Sequence, residues 1–151
     1  MPGPIVGEVL VRQVTPEELP LLEAMHGSFE PKEVALGLPP RDPQRRREWL
    51  KALLEGINFV GVIGPAVVGH LAIMPAGQAG ELACFVHQDY RRRGVATAMG
   101  NAAVAEARRR GLTWLWVLIS SDNSTARSAL LNYGFHTAWE SQGEMKMTFA
   151  L

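Results

Sequence analysis

Apolar and polar positions along the chain switch period several times, and each switch predicts an element. Residues 7–14, GEVLVRQV, alternate and are rich in β-branched side chains, which predicts a strand. TPEELPLLEAMHG (15–27) then opens like a helix, with Thr15 as N-cap, Pro16 at the first helical position and Glu18 three residues after the cap. Pro20 would remove a hydrogen bond inside it, so a short or kinked helix is expected. Residues 29–40 read as loop with a helical turn. Asp42-Pro43 opens a second helix, whose Trp49, Leu50, Leu53 and Leu54 share one stripe while Arg45, Arg46, Arg47 and Lys51 face water, and Gly56 ends it.

NFVGVIG and AVVGHLAIMP read as two strands joined at Gly64-Pro65. ELACFV (81–86) is almost wholly apolar and reads as a central strand. An alanine-rich helix runs from Arg93 or Gly94 to Arg110 and stops at Gly111, and TWLWVLIS (113–120) is a further buried strand. In 123–133, Ala126, Ala129, Leu130 and Tyr133 fall at helical spacing, with Gly134 as the stop. FHTAWES and EMKMTFAL form a last hairpin across Gln142-Gly143. The order β-α-α-β-β-β-α-β-α-β-β predicts a single α/β domain over residues 1–151, with about four helices on one mixed, mostly antiparallel sheet of about seven strands.

Composition narrows the chemistry. The 151 residues are 47% hydrophobic and 20% charged, as a globular domain requires. Fifteen Lys+Arg balance fifteen Asp+Glu, so nucleic-acid binding, which needs a basic excess, is not expected. The single cysteine, Cys84, rules out an internal disulfide, and the four histidines lack zinc spacing, so no metal is expected. Cys84 lies mid-strand with no histidine close in sequence and reads as a buried, inert thiol. No stretch is long enough to cross a bilayer, and MPGPIVGEVL has no signal-peptide pattern, so a cytoplasmic setting is expected. GPAVVGHL (64–71) has the glycine spacing of a P-loop but carries His70 where lysine belongs and reads as hairpin strand.

The segment HQDYRRRGVATAMG (87–100) joins a buried strand to the start of a long helix. Unpaired N–H groups and the positive end of the helix dipole can seat a phosphate there. Gly94 and Ala96 leave room for it, and Arg91, Arg92 and Arg93 add charge. The same residues also read as a plain helix start with solvated arginines.

VHQDYRRRGVATAMGNAAV resembles the cofactor motif of the Gcn5-related N-acetyltransferases, Arg/Gln-x-x-Gly-x-Gly/Ala, with Arg91, Gly94 and Ala96 at its fixed positions. DNSTARSALLNYGF resembles the family's next motif through Asn123, Ala126, Gly134 and Phe135, and the order of elements is also the family's. This resemblance implies acetyl-coenzyme A as donor. The backbone of Arg91, Arg92, Arg93, Gly94, Val95 and Ala96 would hold the pyrophosphate. The pantetheine arm would lie between strands 81–86 and 113–119, against main-chain groups of Phe85 and Val86, with Asn123 reaching it. Oxyanion donors are expected near Val86. His87 and Tyr90 carry no chemical role.

A lysine amine with a pKa of about 10.4 is neutral in only about one molecule in a few thousand at pH 7, so a base is needed. Glu81, at the start of the strand whose far end holds the cofactor, is the candidate. GELACFVHQDYRRRGVA is most similar to bacterial protein-lysine acetyltransferase domains, which implies that role for Glu81. The tyrosine that many members use as general acid is replaced by Leu130, and Tyr133 falls three residues too late, as core packing. Water, or less readily Ser120 or Ser121, is left to protonate the thiolate. The implied acceptor is a primary amine, a protein lysine first, with a small-molecule amine as alternative. A catalytically silent acyl-CoA-binding module, monomeric or dimeric like the enzyme, is the third reading.

Overall fold

The computed structural model describes residues 8–32 and 38–151. Its elements follow the expected order. They are β1 (Leu10–Gln13), α1 (Leu19–Ser28), α2 (Pro43–Leu53), β2 (Ile57–Ile63), β3 (Ala66–Ala76), β4 (Ala79–Val86), α3 (Val95–Arg109), β5 (Trp114–Ser120), α4 (Ser124–Tyr133), β6 (His136–Ser141) and β7 (Glu144–Ala150). One seven-stranded sheet runs β1-β2-β3-β4-β5-β7-β6, and every neighbouring pair is antiparallel except β4–β5. α1 and α2 pack on one face of β3, and α3 packs on β2, β3 and β4 from the other face.

Several boundaries differ from expectation for local reasons. The first strand is shorter, starting at Leu10, and the part of it before residue 8 lies outside the described residues, as do residues 33–37 of the 29–40 loop in which a helical turn is expected. Pro20 does not kink a helix. A 3-10 turn occupies Pro16–Glu18, α1 begins only at Leu19, and Pro20 then falls in the first turn, where its missing N–H costs nothing. Thr15 N donates to Glu18 Oε1 (3.3 Å) and closes that turn. At α2, Asp42 Oδ2 accepts from Arg45 N at 2.8 Å, as an N-cap should, and Leu50 and Leu54 are buried on the expected stripe. The P-loop-like GPAVVGHL is hairpin, with Gly64 at φ +58°.

Two facing glycines set how closely α3 sits on the sheet. Gly61 and Gly69 are register partners on β2 and β3. A Cβ at Gly61 would lie 2.8 Å from Val95 Cγ1, and one at Gly69 would lie 2.7 Å from Met99 Cε. Without side chains at these positions the first two turns of α3 drop into contact with the strands, which fixes the height of the helix's N-terminus above the sheet.

Under α1 runs a buried polar chain. Asn58 Nδ2 donates to Leu53 O (2.7 Å), leaving Asn58 Oδ1 to accept from His70 Nε2 (2.8 Å). His70 Nδ1 must then accept from His26 Nε2 (2.9 Å), so the His70 ring is neutral, and among the described residues His26 Nδ1 is left without a partner. Both histidines are 0% exposed, and Phe29, Trp49 and Phe85 pack around His26. Burial holds His70 down to about 4, and burial together with the neighbouring His70 lowers His26 well below the ordinary range. An unfolded chain would bind protons on these rings as pH falls through 6.5, whereas the folded chain resists until about 4. Stability is therefore full above 6.5 and drains below it. Chemical denaturation should show wild type losing about 2 kcal/mol through His70 alone between pH 7 and pH 5. His70→Gln should be less stable at pH 7 and show a shallower acid slope. An equal slope in the variant would contradict this account.

Candidate active site

β4 and β5 pair at only three positions, Ala79↔Trp114, Gly80↔Leu115 and Glu81↔Trp116, and then part. Each stays fully paired on its other side, β4 to β3 through Val86 and β5 to β7 through Ser120. The main-chain groups that face across the gap from Leu82 onward thus lack strand partners there. Beneath the gap, between α3 and α4, is a cavity of about 270 Å³. Leu82, Cys84, Val86, Val117, Ile119 and Leu130 are among its lining residues. The alternate β4 side chains, Glu81, Ala83 and Phe85, point to the α1/α2 face, where Phe85 is buried against Met25 and Phe29. Both residues expected to serve through their main chain lie beyond the point of parting, but only Val86 turns its N–H and C=O to the gap, because Phe85 is the hydrogen-bonded partner of His70 on β3.

β4 leads through a 3-10 turn, Gln88–Tyr90, to the start of α3. Gly94 is the N-cap at φ +79°, and no side chain caps the helix, so its first N–H groups, from Val95 and Ala96 onward, are free for an anion. A Cβ at Gly94 would meet nothing within 4 Å, so its left-handed backbone is what requires glycine, and the space above it is open. Arg92 also has a positive φ of 64°. Arg92 and Arg93 are exposed, the latter stacked over Tyr90 at 5.4 Å.

Arg91 behaves differently from its neighbours. Its Nε donates to Val86 O (3.0 Å), its Nη2 donates to Glu30 O (2.7 Å), and its guanidinium lies 5.5 Å from the centre of the Phe29 ring. It is a strut between the end of β4 and the segment after α1. Gln88 Nε2 donates to Ser28 O (2.8 Å) and Glu30 N donates to Gln88 Oε1 (2.9 Å). His87 Nδ1 accepts from Asp89 N (3.2 Å), leaving Nε2 to donate to Ser28 Oγ (3.0 Å). His87, expected to have no chemical role, thus has a structural one.

Glu81 is exposed on the α1/α2 face at the last paired position before the gap, and has no hydrogen-bond or ion-pair partner among the described residues. Its register partner Trp116 shares that face, with Lys146 Nζ 4.8 Å from the centre of the Trp116 ring. Sequence reasoning passed over Trp116, because the alternation in TWLWVLIS is hidden by apolar residues on both faces.

On the far side of the gap, Asn123 Oδ1 accepts from Ala126 N (3.1 Å), the N-cap of α4, which leaves its amide NH₂ free. Leu130 lines the cavity, so no hydroxyl occupies the usual tyrosine position. Tyr133 Oη donates to Asn101 Oδ1 (2.8 Å) while its ring packs against Phe149. The expected stripe of α4 forms the cavity's wall and contains no fully buried residue. Ser120 is hydrogen-bonded to Asp122, and Ser121 Oγ is buried without a partner. Cys84 corrects one expectation. Its thiol is exposed to the cavity rather than sealed in core, yet protein surrounds it, and that desolvation pushes it up to about 12, so it stays a protonated, unreactive thiol. Among the described residues no cluster of His, Cys, Asp or Glu could hold a metal, and no helix is long and apolar enough to cross a membrane.

The model of the acetyltransferase (GNAT) family matches residues 22–135, three quarters of the chain, and the chain belongs to that family. It is an acyltransferase that uses acetyl-CoA to acetylate an amine. A search of curated protein sequences finds no match. Among solved structures, the GNAT domain of S. lividans PAT shares 18% identity at a TM-score of 0.81, over 96% of this chain and 92% of that one. The ribosomal-protein-alanine N-acetyltransferase of Brucella melitensis shares 21% at 0.74, over 94% and 99%. The putative acetyltransferase yncA of Salmonella typhimurium, solved with acetyl-CoA, shares 18% at 0.74, over 96% and 95%. At these identities the likeness shows the fold.

Arg91→Ala should speed amide exchange across residues 88–93 and lower the melting temperature, because two carbonyls lose their donor. Arg92→Ala should do neither. Equal effects of the two substitutions would contradict the strut.

Proposed function

We propose that this acetyltransferase modifies lysine side chains of proteins, with Glu81 as general base and the gap between β4 and β5 as the seat of the pantetheine arm. The observation that carries the reading is the place of Glu81. Among the described residues it is a carboxylate without a partner, on the open face, at the last register position before the strands part.

The chain's residues fit acetyl-CoA at each stage. The uncapped N–H groups of Val95 and Ala96, with the exposed Arg92 and Arg93, hold the pyrophosphate above Gly94. The main chain of Val86, turned to the gap, bonds the pantetheine arm, as does the free NH₂ of Asn123, while Phe85 supports it from the β3-paired side of the strand. Arg91 acts by holding this backbone in place through its side chain.

Acetyl-CoA supplies the thioester carbonyl carbon. Glu81 takes a proton from the incoming ammonium, the neutral nitrogen forms the new amide bond as the carbon–sulfur bond breaks, and the nitrogen's second proton passes to solvent, which can return one to the departing thiolate. Strand N–H groups near Val86 stabilise the oxyanion. The thiolate leaves without a side-chain acid, since Leu130 offers none and the Tyr133 hydroxyl is spent on Asn101. Thiols have an ordinary pKa of about 8.5, so solvent can finish the proton transfer.

The open face favours a macromolecular acceptor over a small amine. α1 and α2 lie on β3, and on the same face Trp114 is 50% exposed and Trp139 44% exposed. A substrate attached to a bulky partner can approach such a surface, whereas a small amine gains most from an enclosed pocket.

Release of CoA thiol with lysine proteins and a panel of small amines tests the reading. Glu81→Gln should lower kcat/KM at pH 7 by about 10²-fold or more with CoA affinity unchanged. The loss should shrink as pH rises toward the amine's own pKa, because more acceptor then arrives neutral. Full activity of Glu81→Gln at pH 7 would overturn the base, faster turnover of a small amine would overturn the acceptor class, and tight CoA binding without turnover would identify a silent module.

A further inference from the structure

We infer that the π face of Trp116 is the seat on which the acceptor's ammonium group rests before its proton is taken, and that Lys146 occupies this seat in the free protein. The inference deepens the reading of Glu81 as base and rests on it.

The register of the sheet gathers the parts. Trp116 on β5 is the direct partner of Glu81 on β4, and it faces Thr148 on β7, so their side chains stand side by side on the α1/α2 face. Lys146 is two residues from Thr148 on the same face and reaches back until its Nζ lies 4.8 Å from the centre of the Trp116 ring. No carboxylate pairs with that ammonium among the described residues. The ring is therefore what holds it, and the molecule itself shows that a primary ammonium is accommodated at this point. An indole face is the strongest of the aromatic cation seats, and its attraction grows where water is thinned, as beside a half-buried ring.

An amine acceptor reaches the enzyme as an ammonium and must be charged on arrival and neutral at attack. A carboxylate alone would have to bind the ammonium and also accept its proton. A neighbouring π face divides the task. It attracts the cation without holding a formal charge that would oppose deprotonation, while Glu81 in the next strand is free to take the proton. The ring also lies at the edge of the gap, so an ammonium on it approaches the thioester from the open face. Lys146 carries the same chemical group as the proposed acceptor, so it competes for the ring and must swing away when substrate binds.

Binding of Nα-acetyl-lysine amide to the CoA-loaded protein, followed on the indole N–H resonances, tests the seat independently of turnover. The chain has 4 tryptophans, and the Trp116 signal is identified by its loss in Trp116→Phe. The expected results are a shift of the Trp116 signal by the lysine amide, none by the uncharged Nα-acetyl-norleucine amide, and tighter binding, by roughly two- to five-fold, in Lys146→Met. Lys146→Arg should not tighten binding, and Trp116→Phe should weaken it. A purely structural pair would give weaker binding in both Trp116→Phe and Lys146→Met, so opposite signs are the signature. An unmoved Trp116 signal, or no tightening in Lys146→Met, would overturn the inference. Thiol release on the same samples separates the two ideas. The signature without turnover overturns the acetylation of lysine and leaves the seat standing, whereas turnover without the signature removes the seat and leaves the acetylation.

Discussion

The molecule depends on a break in one line of hydrogen bonds. Among the described residues β4 and β5 are the only parallel neighbours in the sheet, and they stay together for three residue pairs. Backbone N–H and C=O groups left unpaired inside a protein are costly, so an interior strand pair that opens this way requires another partner. The opening survives because each strand is anchored along its outer side, β4 by β3 and β5 by β7. What would be a defect in a closed sheet becomes a lined slot with polar main chain on its walls and apolar side chains beneath.

Two devices place the helix start at the mouth of that slot. Gly61 and Gly69 let Val95 and Met99 close onto the sheet, which sets the depth of α3. Gln88 and His87 tie the turn between β4 and α3 to Ser28 at the end of α1, and Arg91 ties it to Glu30 just beyond. The α3 side and the α1 side of the sheet are thus joined by hydrogen bonds, and the loop presents its amides without first having to be ordered. Glu81 and Trp116 sit at the closed end of the slot, where strand pairing still fixes their positions. In the proposed reading, the chemical groups stand on paired backbone and the cofactor on unpaired backbone, so one sheet serves both needs.

Much of this was legible in the sequence, because the elements are punctuated by Gly, Pro and caps with local physical meaning. Asp42-Pro43, Gly64-Pro65, Gly111 and Gln142-Gly143 mark real boundaries. The uncapped start of α3 was legible for the same reason, since Gly94 in a left-handed conformation is a local feature. What escaped depends on distant partners. The pairing of Gly61 with Gly69 is set by register, and the work of the Arg91 side chain is set by Glu30, sixty-one residues away. Periodicity also misled where a cavity replaces core. The stripe on α4 and the thiol of Cys84 read as buried packing, and both face the hollow beneath the gap. A period reports which side of an element is apolar, not whether that side is filled.

Amide hydrogen exchange with and without CoA tests the slot most directly. CoA should slow exchange at Cys84 and Val86, whose N–H groups face the gap within 82–86, and at the start of α3, while residues 79–81 and 114–116, already paired, change little. Protection confined to the helix start, with residues 82–86 unaffected, would contradict the claim that the parted strands receive the cofactor.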